Sequence, residues 1–363
     1  MKNKIVFVLL LTFQLSFAQA DRKYSNDFLN IGVDAAALGM SKSVTATTSD
    51  VNSIYWNPAG LSNITVNQGA FMHTSHFAGI ANYDYAAVAI APKEKDGVTF
   101  AFSFIRFGVD DILNTTSLID SQGNIDFNRI SLFSAADYAL NFGLATKIKT
   151  IKGMSVGMNA KIVRRKIGDF ASSWGFGLDA GIQYAVKKWN FGLMLRDITT
   201  TFNVWELDSE NFELIKGAIP GQNQELPENI EITLPKIHLG IARDFDFKNK
   251  DFHLLTEINF HMRFAETNDL ISTSFASIDP SIGFQLDYQK FVFLRLGAGN
   301  FQKIPQFDGT ESLSLQPNIG LGFEYHGIQI DYAMSNIASS GNALYSNTFS
   351  IKVDFDFMKS RKK

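Results

Sequence analysis

From residue 64 onward the chain alternates apolar and polar positions in a long series of short segments. In the last of them, Phe349, Ile351, Val353, Phe355 and Phe357 fall on one face and Ser350, Lys352, Asp354 and Asp356 on the other. That is the period of two of a β-strand, and no helix produces it. Around residues 252–264, Phe252, Leu254, Ile258, Phe260, Met262 and Phe264 oppose His253, Glu257, Asn259, His261 and Arg263. At 173–186, Trp174, Phe176, Leu178, Ala180, Ile182, Tyr184 and Val186 oppose Ser173, Gly175, Gly177, Asp179, Gly181 and Gln183. About fourteen such segments are predicted, near 65–77, 81–91, 97–107, 137–149, 154–168, 173–186, 189–197, 235–246, 252–264, 278–289, 291–301, 315–325, 328–335 and 346–357. Each is close to the ~9–11 residues of a tilted strand that crosses a bilayer.

The connections alternate between short and long. Pro92 to Asp96, Thr150 to Gly153, Lys187–Lys188, Lys248 to Asp251, Gln289–Lys290 and His326–Gly327 are short, whereas 108–136, 198–234, 265–277, 302–314 and 336–345 are long. Outer-membrane barrels have short periplasmic turns and long outer loops, and an even strand number brings both termini to the periplasmic side. The expected fold class is therefore all-β: a 14-stranded antiparallel transmembrane outer-membrane β-barrel, termini periplasmic. A soluble all-β protein is the competing reading, and it requires a second sheet to cover the apolar faces.

Lys2 and Lys4 precede an apolar run from Ile5 to Phe17 that closes on Ser16, Ala18 and Ala20, the pattern of an export signal. The expected division is a signal peptide over 1–18, with cleavage possibly as late as 20, an N-terminal hatch over 19–63, a barrel over 64–357, and a basic tail over 358–363. Of the 363 residues, 45% are hydrophobic and 19% charged, which excludes a disordered chain. The 33 basic residues against 36 acidic ones argue against nucleic-acid binding. With 0 Cys there is no disulfide scaffold, thiolate metal site or Cys nucleophile.

Tyr24 to Asn63 lacks the two-residue alternation and is rich in small residues, including Gly32 and Gly39. It predicts short helical turns that end at Pro58 and Gly60 and fill a barrel mouth. Its segments Asn30 to Met40 ("NIGVDAAALGM") and Ser49 to Leu61 ("SDVNSIYWNPAGL") resemble the hatch of the FadL-related outer-membrane barrels, and within them most closely the PorV/PorQ family of the type IX secretion system. The resemblance implies a non-enzymatic, PorV-like component of protein secretion. Its implied partners are type IX translocon or surface-attachment proteins and the C-terminal sorting domains of secreted cargo. The hatch motif comprises Gly32, Gly39, Tyr55, Trp56, Asn57, Pro58 and Gly60. The motif is shared with FadL-type importers, so import of hydrophobic or amphiphilic small molecules is the alternative function.

Other candidate chemistry is sparse, and no catalytic residue, cofactor or metal is expected. Gly153-Met154-Ser155-Val156-Gly157 matches G-x-S-x-G, but that pattern acts only at a strand-to-helix elbow, and here a strand follows. His73 and His76 point to opposite faces, while His253 and His261 lie too far apart along one strand for one metal and are expected to bond Glu257 or the hatch. Asp179, Arg196, Glu257, Arg263, Asp287, Arg295, Glu324, Asp331, Lys352 and Asp354 make a mixed-charge lumen, unlike a fatty-acid conduit. Arg164, Arg165 and Lys166, at the outer end of the fifth strand, either meet lipopolysaccharide phosphates or form a solvated rim, and outer-membrane lipid and lipopolysaccharide are expected partners. The 198–234 loop, with Phe202, Trp205, Glu206, Asp208, Glu210, Phe212 and Glu213, is the candidate partner-binding loop because apolar anchors stand among its acids; the competing reading is a loop folded over its own barrel.

Overall fold

The computed structural model describes residues 25–76, 79–94, 97–119, 122–208, 229–247, 251–306, 308–335 and 346–355. The strands are β1 (Gln68–His76), β2 (Ala81–Ile90), β3 (Thr99–Asn114), β4 (Ser131–Lys147), β5 (Met154–Ile167), β6 (Ala171–Val186), β7 (Trp189–Arg196), β8 (Thr201–Leu207) and β9 (Ile230–Thr233). They continue with β10 (Lys236–Asp246), β11 (Phe252–Arg263), β12 (Ile271–Ser272), β13 (Ser277–Tyr288), β14 (Val292–Pro305), β15 (Glu311–Tyr325), β16 (Ile328–Ser335) and β17 (Ser346–Asp354). β7 and β8 run in succession along β6, and β9 and β10 run along β8 and β7, so each pair forms one stave of the wall. With the two-residue β12 set aside, the result is a closed antiparallel barrel of 14 staves. Closure is made by β1 on β17, from Gln68 opposite Asp354 to Ser75 opposite Asn347.

Alternation decides which side of the wall each residue serves. On β6, Trp174, Phe176 and Leu178 are exposed on the outer surface while Ser173, Asp179 and Gln183 are buried inside. Phe100, Phe102 and Phe104 of β3 and Phe142 and Leu144 of β4 continue the outward apolar band, the arrangement a lipid-facing barrel requires. No described helix is long and apolar enough to cross a membrane. Several strands outrun the predicted segments at the long-loop end: β3 continues to Asn114 and β4 starts at Ser131.

The region predicted as a single loop over 198–234 requires correction. Thr201–Leu207 and Ile230–Thr233 are strands that carry the wall onward past an interruption. Phe202, Trp205 and Glu206 thus belong to β8; Asp208 follows it, and Glu210, Phe212 and Glu213 lie outside the described residues.

The core is the hatch itself, packed against the inner wall. It contains a helix α1 (Ala35–Gly39), a helix α2 (Ser53–Trp56), and 3-10 turns at Asp27–Asn30 and Pro58–Asn63. Phe28, Val33, Leu38, Met40, Tyr55 and Trp56 pack with the inward Met72, Tyr83, Tyr85 and Ile105. A second cluster joins Val51, Ile54, Leu61 and Ile64 to Ala89, Ala101 and Ala145.

Candidate functional site: the hatch and the interrupted wall

The hatch motif builds the plug from within. Asn57 caps the Pro58–Asn63 turn by accepting from the Ala59 amide, and Pro58 occupies the first position of that turn, where a missing N–H is harmless. The Asn57 amide group donates to Thr45 O at 2.9 Å and to the wall at Ile182 O at 3.2 Å. Trp56 Nε1 donates to Val33 O at 3.1 Å, and Tyr55 OH donates to Leu29 O. Gly32 has a φ of 103° and lies under Leu38 and the Trp56 ring, so it supplies both the backbone angle and the space the turn needs.

The inward glycines of β5 and β6 have a matching purpose. A Cβ on Gly157 would strike the Pro58 carbonyl group, and one on Gly181 would strike Asn57. These glycines let backbone approach backbone where a side chain would hold the plug away.

Polar ties fasten the hatch around the lumen. Glu257 accepts from the Ala46 amide at 2.7 Å and Thr47 Oγ1 at 2.5 Å. Lys352 pairs with Asp50 at 2.8 Å, and Lys236 donates to Asn30 at 2.8 Å. Arg196 donates to Leu29 O at 3.1 Å and Tyr55 O at 2.6 Å while its guanidinium lies 4.6 Å from the Tyr55 ring centre. Within the hatch, burial with Asp331 and Asp50 nearby pushes the Asp34 carboxyl up to about 7. Burial also lowers the Lys42 ammonium to about 8.

The wall beside Arg196 is interrupted. Arg196 opposes Lys236 and Thr201 opposes Thr233, so residues 197–200 on one stave face only 234–235 on the other. Asp197 and Thr200 take φ values of 58° and 62°, a region most side chains avoid. In place of ladder bonds there is an ionic knot: Lys161 Nζ lies 2.8 Å from Asp179 and 2.6 Å from Asp197, with all three side chains buried. Asp197 N donates to Asp179 at 2.8 Å, and Ile198 N remains tied to Leu178 O at 2.9 Å. The first described hatch residues sit behind the gap: Ser25 Oγ lies 2.8 Å from Thr233 Oγ1, and Asn203 donates to Ser25 at 2.9 Å. Irregular backbone at membrane depth is tolerated only where protein or water backs it, and here the hatch does so.

The ten charged lumen residues read from the alternation do face inward, where Arg295 pairs with Asp331 at 2.6 Å and Arg263 with Asp269 at 2.5 Å. Lys161, Asp197 and Lys236 were not among them. Lys161 sits on the inner face of a recognised strand, so the alternation carried its signal; Asp197 and Lys236 sit at the break, where the alternation fails.

His73 turns outward to Asp84 at 2.7 Å and His76 inward to Ser346 at 3.0 Å, on opposite faces as expected. The expected bonds of His253 and His261 to Glu257 or the hatch need correction. His253 pairs with Asp244 and Asp287, and His261 Nδ1 lies 2.8 Å from His238 Nδ1. Those partners stand on neighbouring strands, and only the register reveals them. No group of three or more metal-capable residues occurs among the described residues. Ser155 lies inside strand β5 with its side chain buried, which is not the elbow its motif would need. A cavity of about 800 Å³ opens at the short-turn end between Thr47 and Ser49 of the hatch and Lys147, Lys149, Gln183 and Tyr184 of the wall.

No protein-family model matches the chain, and no curated protein matches it by sequence. Among solved structures, the CymD monoaromatic hydrocarbon channel is similar at a TM-score of 0.52 and 11% identity, covering 92% of this chain and 99% of that one. The P. putida toluene transporter TodX is similar at 0.50 and 12%, covering 88% and 96%. A Pseudomonas aeruginosa FadL homologue reaches 0.48 and 12%, covering 89% and 98%. At these identities the likeness speaks to fold alone: the chain shares with the first two the architecture of a closed 14-strand antiparallel outer-membrane barrel.

Proposed function

We propose that the protein is a hatch-plugged outer-membrane barrel that admits a small hydrophobic or amphiphilic molecule through the interruption in its wall, without enzymatic chemistry. The interruption carries this reading. A lumen crossed by Lys161, Asp179, Arg196, Glu257, Arg295 and Asp331 offers an apolar molecule no continuous path along the barrel axis. The gap between Asp197 and Thr200 lies beside the lipid-exposed Leu178, where such a molecule needs to cross only the wall. The neighbours with this fold include channels for monoaromatic hydrocarbons and toluene, which supports the same class of substrate. In the orientation proposed, the short turns and both chain termini face the periplasm and the long loops face outward, following the general barrel rule.

The test is uptake of a radiolabelled monoaromatic hydrocarbon and of a long-chain fatty acid by cells with and without the gene. Loss of uptake of either compound, restored by the parent gene, supports import. Unchanged uptake of both sinks it.

A second reading, a component of type IX secretion that binds cargo, translocon or attachment proteins through outer loops, is favoured by the β3–β4 extension. There Leu113, Ile119, Ile125, Phe127 and Leu132 are 59–73% exposed beyond the strand lengths that a membrane needs. Under this reading the deletion strain loses secreted or surface-attached proteins while uptake stays normal.

A further inference from the structure

Two arginines on the outer surface of the wall lie over tryptophans without a carboxylate partner among the described residues. Arg164 of β5 stands 4.8 Å from the Trp174 ring centre of β6. Arg243 of β10 stands 5.0 Å from that of Trp189 of β7 and 4.9 Å from that of Phe245. Three other arginines of the wall are neutralised by carboxylates: Arg106 meets Asp84 and Asp110, Arg165 meets Asp137 and Glu231, and Arg295 meets Asp331. The sequence neighbours Arg164 and Arg165 separate the two cases within one strand. Arg165 faces inward onto two acids, whereas Arg164 faces outward, where its only side-chain hydrogen bond among the described residues is to Ser173 O at 3.4 Å.

The two guanidinium–indole pairs stand at opposite ends of one strip of wall. Arg164 is opposite Trp174 and Arg243 is opposite Trp189, while Trp189 is in turn opposite Val186. Trp174 and Val186 are about 12 residues apart on β6, or ~40 Å along a strand at ~3.3 Å per residue. At a tilt of ~35–45° this projects to ~30 Å, slightly more than the ~25 Å apolar band of an outer-membrane barrel. Between them the outward residues of β6 are Phe176, Leu178, Ala180, Ile182 and Tyr184, with no charge. Each pair therefore sits at a headgroup level, where indole rings settle and an unneutralised guanidinium has phosphate as its natural partner.

We propose that Arg164, with Trp174 beneath it and Lys166 two residues further out on the same face, is a binding site for a lipid phosphate, and that at the long-loop end this is a phosphate of the lipid A region of lipopolysaccharide. Lys166 pairs with Asp169 at 3.3 Å, but both side chains are more than half exposed, so the ammonium is free to exchange that partner for a phosphate. A recess of about 390 Å³ lined by Arg164, Lys166, Gly168, Phe170 and Ser172 lies beside them, with Asp169, Glu206 and Asp208 also at its wall. The acids set the polarity of the recess: an anion is accepted at the Arg164 and Lys166 side, and a phosphate cannot settle against Glu206. The inference rests on the outer-membrane placement and not on what the barrel transports, so failure of the uptake test leaves it standing.

The experiment is native mass spectrometry of the purified full-length barrel released from nanodiscs. The probes are bisphosphorylated lipid A, fully dephosphorylated lipid A and inorganic phosphate; the proteins are the parent, Arg164→Gln, Arg164→Lys and the inward control Arg165→Gln. The parent should retain bisphosphorylated lipid A at least about ten-fold better than Arg164→Gln, the scale of one charge-assisted phosphate contact. Arg164→Lys should retain an intermediate amount, and Arg165→Gln should match the parent. Equal retention by parent and Arg164→Gln would overturn the site, as would equal retention of dephosphorylated lipid A. Displacement of lipid A by millimolar inorganic phosphate would overturn the headgroup assignment in favour of a free-anion site. Heat-modified gel mobility, which reports the closed barrel, confirms that each variant is folded before it is scored.

Discussion

Two sectors of one wall bury ion pairs and use them differently. In the β14–β16 sector the ladder is unbroken around the ion pair, with the one register shift, at Gly299–Gln302, lying beyond it: Gly320 faces Ala333 and Gly322 faces Asp331, and Arg295 reaches Asp331 at 2.6 Å and Gln285 at 2.6 Å. Helix α1 lies directly on this surface, where a Cβ on Gly39 would meet the Gly320 backbone. In the β6–β10 sector the Lys161–Asp179–Asp197 knot stands where ladder bonds are missing, and the amino-terminal end of the described hatch sits behind it. The first ion pair sits on a wall that backbone bonds already close. The second holds shut a place that backbone bonds leave open.

The sharpest way to break the contrast is to remove what both sectors share. Deleting residues 25–63 strips the hatch from each and leaves the closed strand ladder, whose hydrogen bonds do not depend on it. In planar bilayers the intact protein should be nearly silent, and the deletion variant should conduct like an open pore. Glu257→Leu, which releases Ala46 and Thr47 alone, should give intermittent openings rather than a permanent one. An intact protein that already conducts as freely as the deletion variant would remove the hatch from the mechanism.

A smaller change distinguishes the sectors. Lys161→Met and Arg295→Met each leave buried carboxylates without their cation, which costs about 3–5 kcal/mol in either sector. Both variants should therefore unfold at clearly lower denaturant concentration than the parent. Uptake or leakage should change in Lys161→Met and not in Arg295→Met, because an unbroken ladder remains in the second. If both variants become equally leaky, the interruption is only a local irregularity and the proposed route through the wall fails.

How much of this was legible beforehand follows the physics of each part. All fourteen staves could be read from alternation, since lipid on one side and a polar lumen on the other impose a period of two on any strand that crosses. The hatch was legible for the converse reason: Tyr24 to Asn63 breaks that period, and Asn57-Pro58 with Gly60 marks its turn. The interruption was not recognised. Thr201, Phe202, Asn203 and Val204 do alternate, but they are separated from the rest of their stave by four residues and followed by an acidic run that made the whole of 198–234 resemble a loop. Contacts such as His238 with His261, or Lys161 with Asp197, depend on register between strands or on the break itself, which a single strand's pattern does not contain.

The smallest predicted effect lies in the hatch facing the unbroken sector. Asp34 begins α1 with its carboxylate accepting from Ser350 at 3.0 Å and the Ala36 amide at 3.4 Å. Burial raises its pKa from 3.8 to about 7. A carboxyl whose folded pKa is raised binds its proton more tightly when the hatch is seated, so this contribution is complete below about pH 4 and is lost as pH rises through about 7. Lys42, lowered from 10.5 to about 8, does not change charge between pH 4 and 7, so that window reports carboxyl groups such as Asp34. Asp34→Asn keeps a neutral acceptor for both donors and abolishes the titration. The variant should match the parent in opening frequency at pH 5, where Asp34 is protonated, and open less often than the parent at pH 7, where about half of Asp34 is ionised. Subtracting the two profiles cancels the carboxylates they share, so a difference that is flat with pH would show that Asp34 carries no such burden and that α1 is seated by packing alone.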